Sequence, residues 1–228
     1  FPSIISWLQS LNYKDVPQAK RGSDRFITLN ASDEQVAHLV ESTVSLAIRS
    51  PMQRQTGALT AEALRGDRLP ERERNTLIAL NMRDSHQTVV SQIGTRGKFS
   101  ILYSPEKEFI YGDGFFHNIR SPVQPYQLNS FKMLVPITPR ISVLYANPRQ
   151  YAIEPRLFTV VLTAEEADVF NNVVQIYSCN SLFYRSEKPE IIADYAENRH
   201  KRFYDSNNIV DKLISDIPGV RDTQAIFP

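Results

Sequence analysis

The sequence predicts an α+β fold in which N-terminal amphipathic helices pack on a mainly antiparallel sheet and C-terminal helices close the structure. Three observations carry this. Apolar residues recur at helical spacing as far as Ile93. Beyond Gly97 they give way to short alternating or apolar runs. The motif Thr163-Ala164-Glu165-Glu166 then has the spacing of a capping box and opens a new helical pattern.

Ile4, Ile5, Leu8 and Leu11, with Trp7 beside them, predict a short first helix, and the polar stretch 14–24 ends it. Ser32 and Gln35 have capping-box spacing, so a second helix runs from there until Pro51 forbids its continuation, burying Val36, Leu39, Val40, Thr43 and Ala47. Small, charged and turn-forming residues at 53–71, among them Gly57, Gly66 and Pro70, predict an exposed loop with one helical piece at 60–64. A long helix is expected over 71–93, with Ile78, Met82, Val89, Val90 and Ile93 as its stripe and Gly94 as its C-cap. Strands follow at 99–103, 109–111, 131–135, 141–145 and 157–162. Ala167, Phe170, Val173, Val174 and Tyr177 mark the packed face of the next helix, and a last strand is expected at 182–185. Helical patches at 190–198 and 209–214 complete the chain.

One α+β domain over 1–228 is the expectation, with 186–228 as a loosely docked helical tail. The chain opens at Phe1 rather than on methionine, as expected of a processed or partial chain whose upstream residues belong to the same fold. Lys and Arg total 26 against 25 Asp and Glu, which leaves no global field for nucleic acid or lipid, so any RNA or phosphorylated ligand would need a local basic patch. The single Cys179 excludes an intramolecular disulfide framework and multi-cysteine zinc patterns, and a reducing, cytoplasmic setting follows as the expectation. No run approaches the roughly 18–20 apolar residues of a membrane-spanning helix, so no membrane partner is expected. Phosphate-cradling Gly-rich loops, Gly-x-Ser-x-Gly elbows, His-Glu-x-x-His pairs and EF-hand loops are absent from the sequence.

Asp113 is the first-choice functional residue. It stands between Gly112 and Gly114 at the end of an apolar run, where a carboxylate can bind a divalent metal, orient water or accept a proton. The same dipeptide also reads as a turn in which the aspartate bonds its own backbone. His117 is a ligand or base four residues on, or a solvated loop histidine. His86 falls on or beside the apolar stripe of its helix; it is either a core-edge histidine bonded to a carbonyl or a general base facing Asp113. Arg49 and Arg54 form a candidate anion clamp, although a cation at the end of a helix is also favoured by the macrodipole alone. Charge runs at 65–74 and 199–202 read as solvated faces or phosphate contacts, with Tyr195, Phe203 and Tyr204 near the second as stacking candidates.

Several segments resemble a bacterial family catalogued as domain of unknown function 4238. Ala47-Ile48-Arg49-Ser50-Pro51 is similar to its helix closing on Arg-x-Pro, and Glu108-Phe109-Ile110-Tyr111-Gly112-Asp113 to its strand ending in aspartate. Leu134-Val135-Pro136-Ile137-Thr138-Pro139 is similar to its Pro-Leu-Ser/Thr-Pro strand, and 170–184 to its closing helix-strand unit. Gly114-Phe115 stands where that family usually has Asn-Pro, and its His-His-Tyr-Val-Pro type element has no counterpart here. The resemblance implies a bacterial or phage-type cytosolic protein and brings no reaction with it.

Two functional expectations result. One is a hydrolytic effector acting on RNA or another phosphoester, with Asp113, His86 and His117 catalytic, Arg49 and Arg54 binding the anion, and a divalent metal as the cofactor such a carboxylate accommodates. The alternative is a noncatalytic module whose helix-sheet groove holds a protein partner or a small ligand.

Overall fold

Two helical layers enclose a twisted sheet, and the alternation of side chains along each strand decides which layer each residue meets. The computed structural model describes residues 2–18, 22–94, 96–117, 131–148, 150–197 and 209–220. In chain order these form α1 (Pro2–Ser10), β1 (Ile27–Thr28), α2 (Asp33–Ile48), α3 (Pro51–Arg65), α4 (Glu71–Ile93), β2 (Lys98–Tyr103), β3 (Tyr111–Gly112) and β4 (Phe116–His117). There follow β5 (Phe131–Thr138), β6 (Ile141–Asn147), β7 (Leu157–Val161), α5 (Ala164–Tyr177), β8 (Leu182–Phe183), α6 (Ala193–Ala196) and α7 (Ile209–Asp216).

The main sheet has the order β1-β7-β2-β6-β5-β4. Among the described strands only the β2–β7 pair is parallel, so the sheet is mainly antiparallel and the α+β architecture is as the sequence predicts. β3 and β8 form a separate antiparallel pair. Phe99 and Ile101 of β2, Met133 and Val135 of β5, and Val143 and Tyr145 of β6 face α1, α2 and the end of α4. Their neighbours Leu102, Leu134, Leu144 and Ala146, with Phe158 and Val160 of β7, face α5 and α7. Among the described residues no helix is long and apolar enough to cross a membrane.

Both expected capping boxes are present, with Ser32 and Gln35 opening α2 and Thr163 and Glu166 opening α5. The segment expected as an exposed loop is instead the fifteen-residue helix α3. Pro51 stops α2 and also starts α3, because a first-turn proline lacks only an amide that has no helical partner. Gly57 reads as a loop residue in the sequence, yet it is where α3 and α4 pass closely: a Cβ there would lie 1.8 Å from Asn81 Nδ2. Gly94 follows α4 in a right-handed conformation (φ −46°), and the left-handed turn falls at Gly97 (φ 82°), where a Cβ would meet the Tyr145 ring. β1 has no counterpart in the sequence pattern, since two residues are too few to show alternation.

In the tail, residues 186–197 and 209–220 are described. Val210, Leu213, Ile214 and Ile217 are buried in the second core, and Ala152 N donates to Gly219 O (2.9 Å). The charged run 199–202, with Phe203 and Tyr204, lies outside the described residues.

Lys98 is fully buried. Its Nζ donates to Pro155 O (2.6 Å) and stands 5.1 Å from the centre of the Phe158 ring. Burial pulls its pKa below the ordinary 10.5, partly opposed by the charge of Glu154. Between that lowered value and 10.5 the unfolded chain binds more protons than the folded one, so this lysine makes stability rise with pH across the window. Lys98→Met is expected to remove that rise in urea denaturation at stepped pH; an unchanged profile would contradict it.

Candidate functional site

The Gly-Asp-Gly element is a clasp on the end of α5. β3 pairs with β8 rather than β4, so this element is not a hairpin tip. A Cβ at Gly112 would lie 1.7 Å from Ser178 Oγ, and one at Gly114 would lie 1.7 Å from Tyr177 O. Only glycines let the chain pass this close. Between them Asp113 Oδ1 accepts from Cys179 N (2.7 Å), while Oδ2 accepts from Asn180 N (2.9 Å) and Asn180 Nδ2 (3.1 Å). Asp113 N donates to Ser181 O (3.1 Å). The carboxylate thus satisfies the amides that leave the C-terminal end of α5. Burial and then the charge of Asp113 push the Cys179 thiol above its usual pKa, the opposite of nucleophile activation.

Of the other candidate catalytic and anion-binding residues, the described side chains of His86, Arg49 and Arg54 lie on the helices of the first layer. His86 is half-buried on α4, between Met82 and Val90, which pack on the first core. The sheet therefore separates it from α5. Arg49 is the exposed C-cap of α2, and Arg54 is exposed on α3; both belong to the α2–α4 layer. His117 pairs through its backbone with Met133 on β5, and its side chain lies outside the described ones. Among the described residues no group of three or more His, Cys, Asp or Glu side chains could hold a metal ion.

A charged cluster that the sequence reading did not single out stands at the turn between β5 and β6. Asn171 of α5 accepts from Ile110 N (3.0 Å) and donates to Glu108 O (2.9 Å), while Phe109 N donates to Pro139 O (2.7 Å). These bonds fix the chain just before β3 and set Glu108 between two arginines. Arg185 Nη2 donates to Glu108 Oε1, and Arg140 Nη2 lies 3.7 Å from the same oxygen. Arg140 is itself anchored by Nη1, which donates to Pro105 O (2.8 Å). The Arg185 hydrogen bond, against the opposing effect of burial and with help from Ser186 and the Arg140 charge, holds the Glu108 carboxyl below the usual range. Arg140 follows directly on the Pro136-to-Pro139 motif, the one sequence cue to this site; pairing across separations as long as 77 residues leaves no local pattern.

Arg140 and Arg185 line two adjoining cavities. The smaller, about 310 Å³, also exposes Glu108, Asp168, Asn171 and Lys188 and is mixed in charge. The larger, about 520 Å³, lies between the chain leaving α1 and the β5–β6 turn. Among the described residues its charged lining consists of Lys14, Arg140 and Arg185, with no carboxylate. Tyr13 and Tyr103 stack within it at 4.3 Å and 12°. Tyr13 Oη donates to Leu8 O (2.7 Å), and burial drives this hydroxyl far above its ordinary pKa, so it stays a neutral donor.

No family model, curated protein or solved structure matches this chain.

If Asp113 is a clasp, its loss is read in stability. Asp113→Ala is expected to cost about 2–3 kcal/mol, the scale of hydrogen bonds to a charged group. Gly114→Ala is expected to cost about 1–3 kcal/mol by overpacking against Tyr177 O. Urea unfolding measures both, and a change below about 0.5 kcal/mol, the scale of neutral surface substitutions, in either variant would contradict the clasp.

Proposed function

We propose that this protein is a noncatalytic ligand-binding module whose 520 Å³ cavity takes a small anionic ligand. The observation that carries the reading is the lining by the described residues: three cations from three separate parts of the chain, no carboxylate, and a stacked tyrosine pair. Two of the cations are oriented by Glu108, which also lines the neighbouring cavity. A guanidinium has five donors in a planar fork, so one carboxylate leaves each arginine with donors suited to phosphate or carboxylate. The volume falls within the roughly 300–1,000 Å³ of small-molecule sites. The phosphorylated ligand expected from the sequence is thereby assigned to Lys14, Arg140 and Arg185 in place of Arg49 and Arg54. Hydrolysis centred on Asp113 is not favoured, because both of its oxygens accept amide hydrogens and His86 belongs to the opposite layer. A cytoplasmic setting and a bacterial or phage-type origin belong to the same proposal.

Calorimetric titration with pyrophosphate tests this. Lys14→Ala combined with Arg185→Ala removes two exposed cations and leaves the backbone bonds of Arg140 in place. The pair is expected to weaken binding by about tenfold or more, as the loss of charge-assisted contacts implies. Wild-type binding is expected to fall as salt rises. Absence of pyrophosphate binding, or binding indifferent to both substitutions, would overturn the reading.

A further inference from the structure

We infer that the ligand of this cavity is a free mononucleotide, with its base on the Tyr13–Tyr103 pair and its phosphate on Lys14 and Arg185. The inference rests on the anion-binding reading of the same cavity and adds the second half of the ligand. An anion alone needs donors and charge; it has no use for a wall of parallel aromatic rings. Tyr13 and Tyr103 lie face to face (4.3 Å, 12°) with their inner sides packed on the first core, so a base meets the outer face of one ring of the pair. The Tyr13 hydroxyl is engaged with Leu8 O, which fixes the ring edge. Base stacking on aromatic side chains is worth roughly 1–3 kcal/mol and tolerates any base. Beside the pair stand Gln9 and Gln18, whose amides can donate to and accept from the edge of a base.

Charge and size favour a free nucleotide over the end of an RNA strand. Three cations suit one or two phosphates, and about 520 Å³ suits one nucleotide rather than several. A strand would need a basic track leading away from the cavity. The chain carries a net charge of only +1. Within the basic run that is described, Arg65 pairs with Asp67 and Glu73, and Arg74 pairs with Glu62.

The test is calorimetric titration of the full chain with the common nucleoside monophosphates, their parent nucleosides, pyrophosphate and a single-stranded RNA oligomer. The best monophosphate is expected to bind about tenfold or more tightly than pyrophosphate or its own nucleoside, since both halves contribute. Tyr103→Leu is expected to weaken that monophosphate at least about fivefold, the low end of stacking, and to leave pyrophosphate within about twofold. Monophosphates no tighter than pyrophosphate, with pyrophosphate still dependent on Lys14 and Arg185, would overturn the nucleotide inference and leave the anion site standing. Equal loss of both ligands in Tyr103→Leu would assign the tyrosines to structure and overturn it as well. RNA binding more tightly than every monophosphate would overturn the free-nucleotide assignment. Failure of pyrophosphate itself would bring down the underlying reading.

Discussion

A row of buried polar side chains on α5 holds the chain on either side of it, and the arrangement of the site depends on that grip. Asn171 serves both Ile110 N and Glu108 O, and Gln175 serves both Glu190 O and Ile192 N. In the other direction Asp113 caps the amides just beyond the helix. At the opposite end Arg25 makes a bidentate pair with Glu166 (2.6 and 2.8 Å) and donates to Val161 O (2.9 Å). Segments that would otherwise bury unpaired backbone groups are thus satisfied by side chains. An unsatisfied buried group costs about 1–3 kcal/mol, so each of these residues prevents a loss larger than the net gain of an ordinary hydrogen bond.

This grip has a chemical consequence. The 108–110 segment is held to Asn171 and Pro139, so Glu108 cannot leave the β5–β6 turn without breaking backbone bonds. Two guanidinium groups brought together would repel, and the carboxylate between them offsets that repulsion while leaving a net positive pair. Lys14, arriving from the far side with the chain that leaves α1, adds to the same field. The positive cavity is therefore assembled from parts near residues 14, 140 and 185 around an anchor at 108. This cluster also explains why a chain of nearly neutral overall charge carries a local basic site.

Elements governed by local rules were legible in the sequence. Both capping boxes, the stop at Pro51, the apolar stripes of α2 and α5 and most strand cores follow from spacing and turn chemistry. Features set by tertiary approach were not. Gly57, Gly112 and Gly114 read as turn or loop glycines, and in the fold each instead makes room for a neighbouring chain. Asp113 stood out because a carboxylate between glycines resembles an exposed functional tip; its partners are 66 and 67 residues away, beyond the reach of any pattern. His86 lies on an amphipathic face as expected, but the face alone does not say that α4 and α5 lie on opposite sides of the sheet. The Glu108, Arg140 and Arg185 cluster consists of three unremarkable charges until the turn, the strand and the helix bring them together.

Glu108 is an ionised strut between Arg140 and Arg185. This is tested most directly by following the Glu108 side-chain carboxyl carbon by NMR as pH is lowered, in the wild type and in Arg185→Ala. Titration below the ordinary glutamate range is expected in the wild type, with an upward shift when Arg185 is removed. An ordinary glutamate titration that is unchanged in the variant would contradict it.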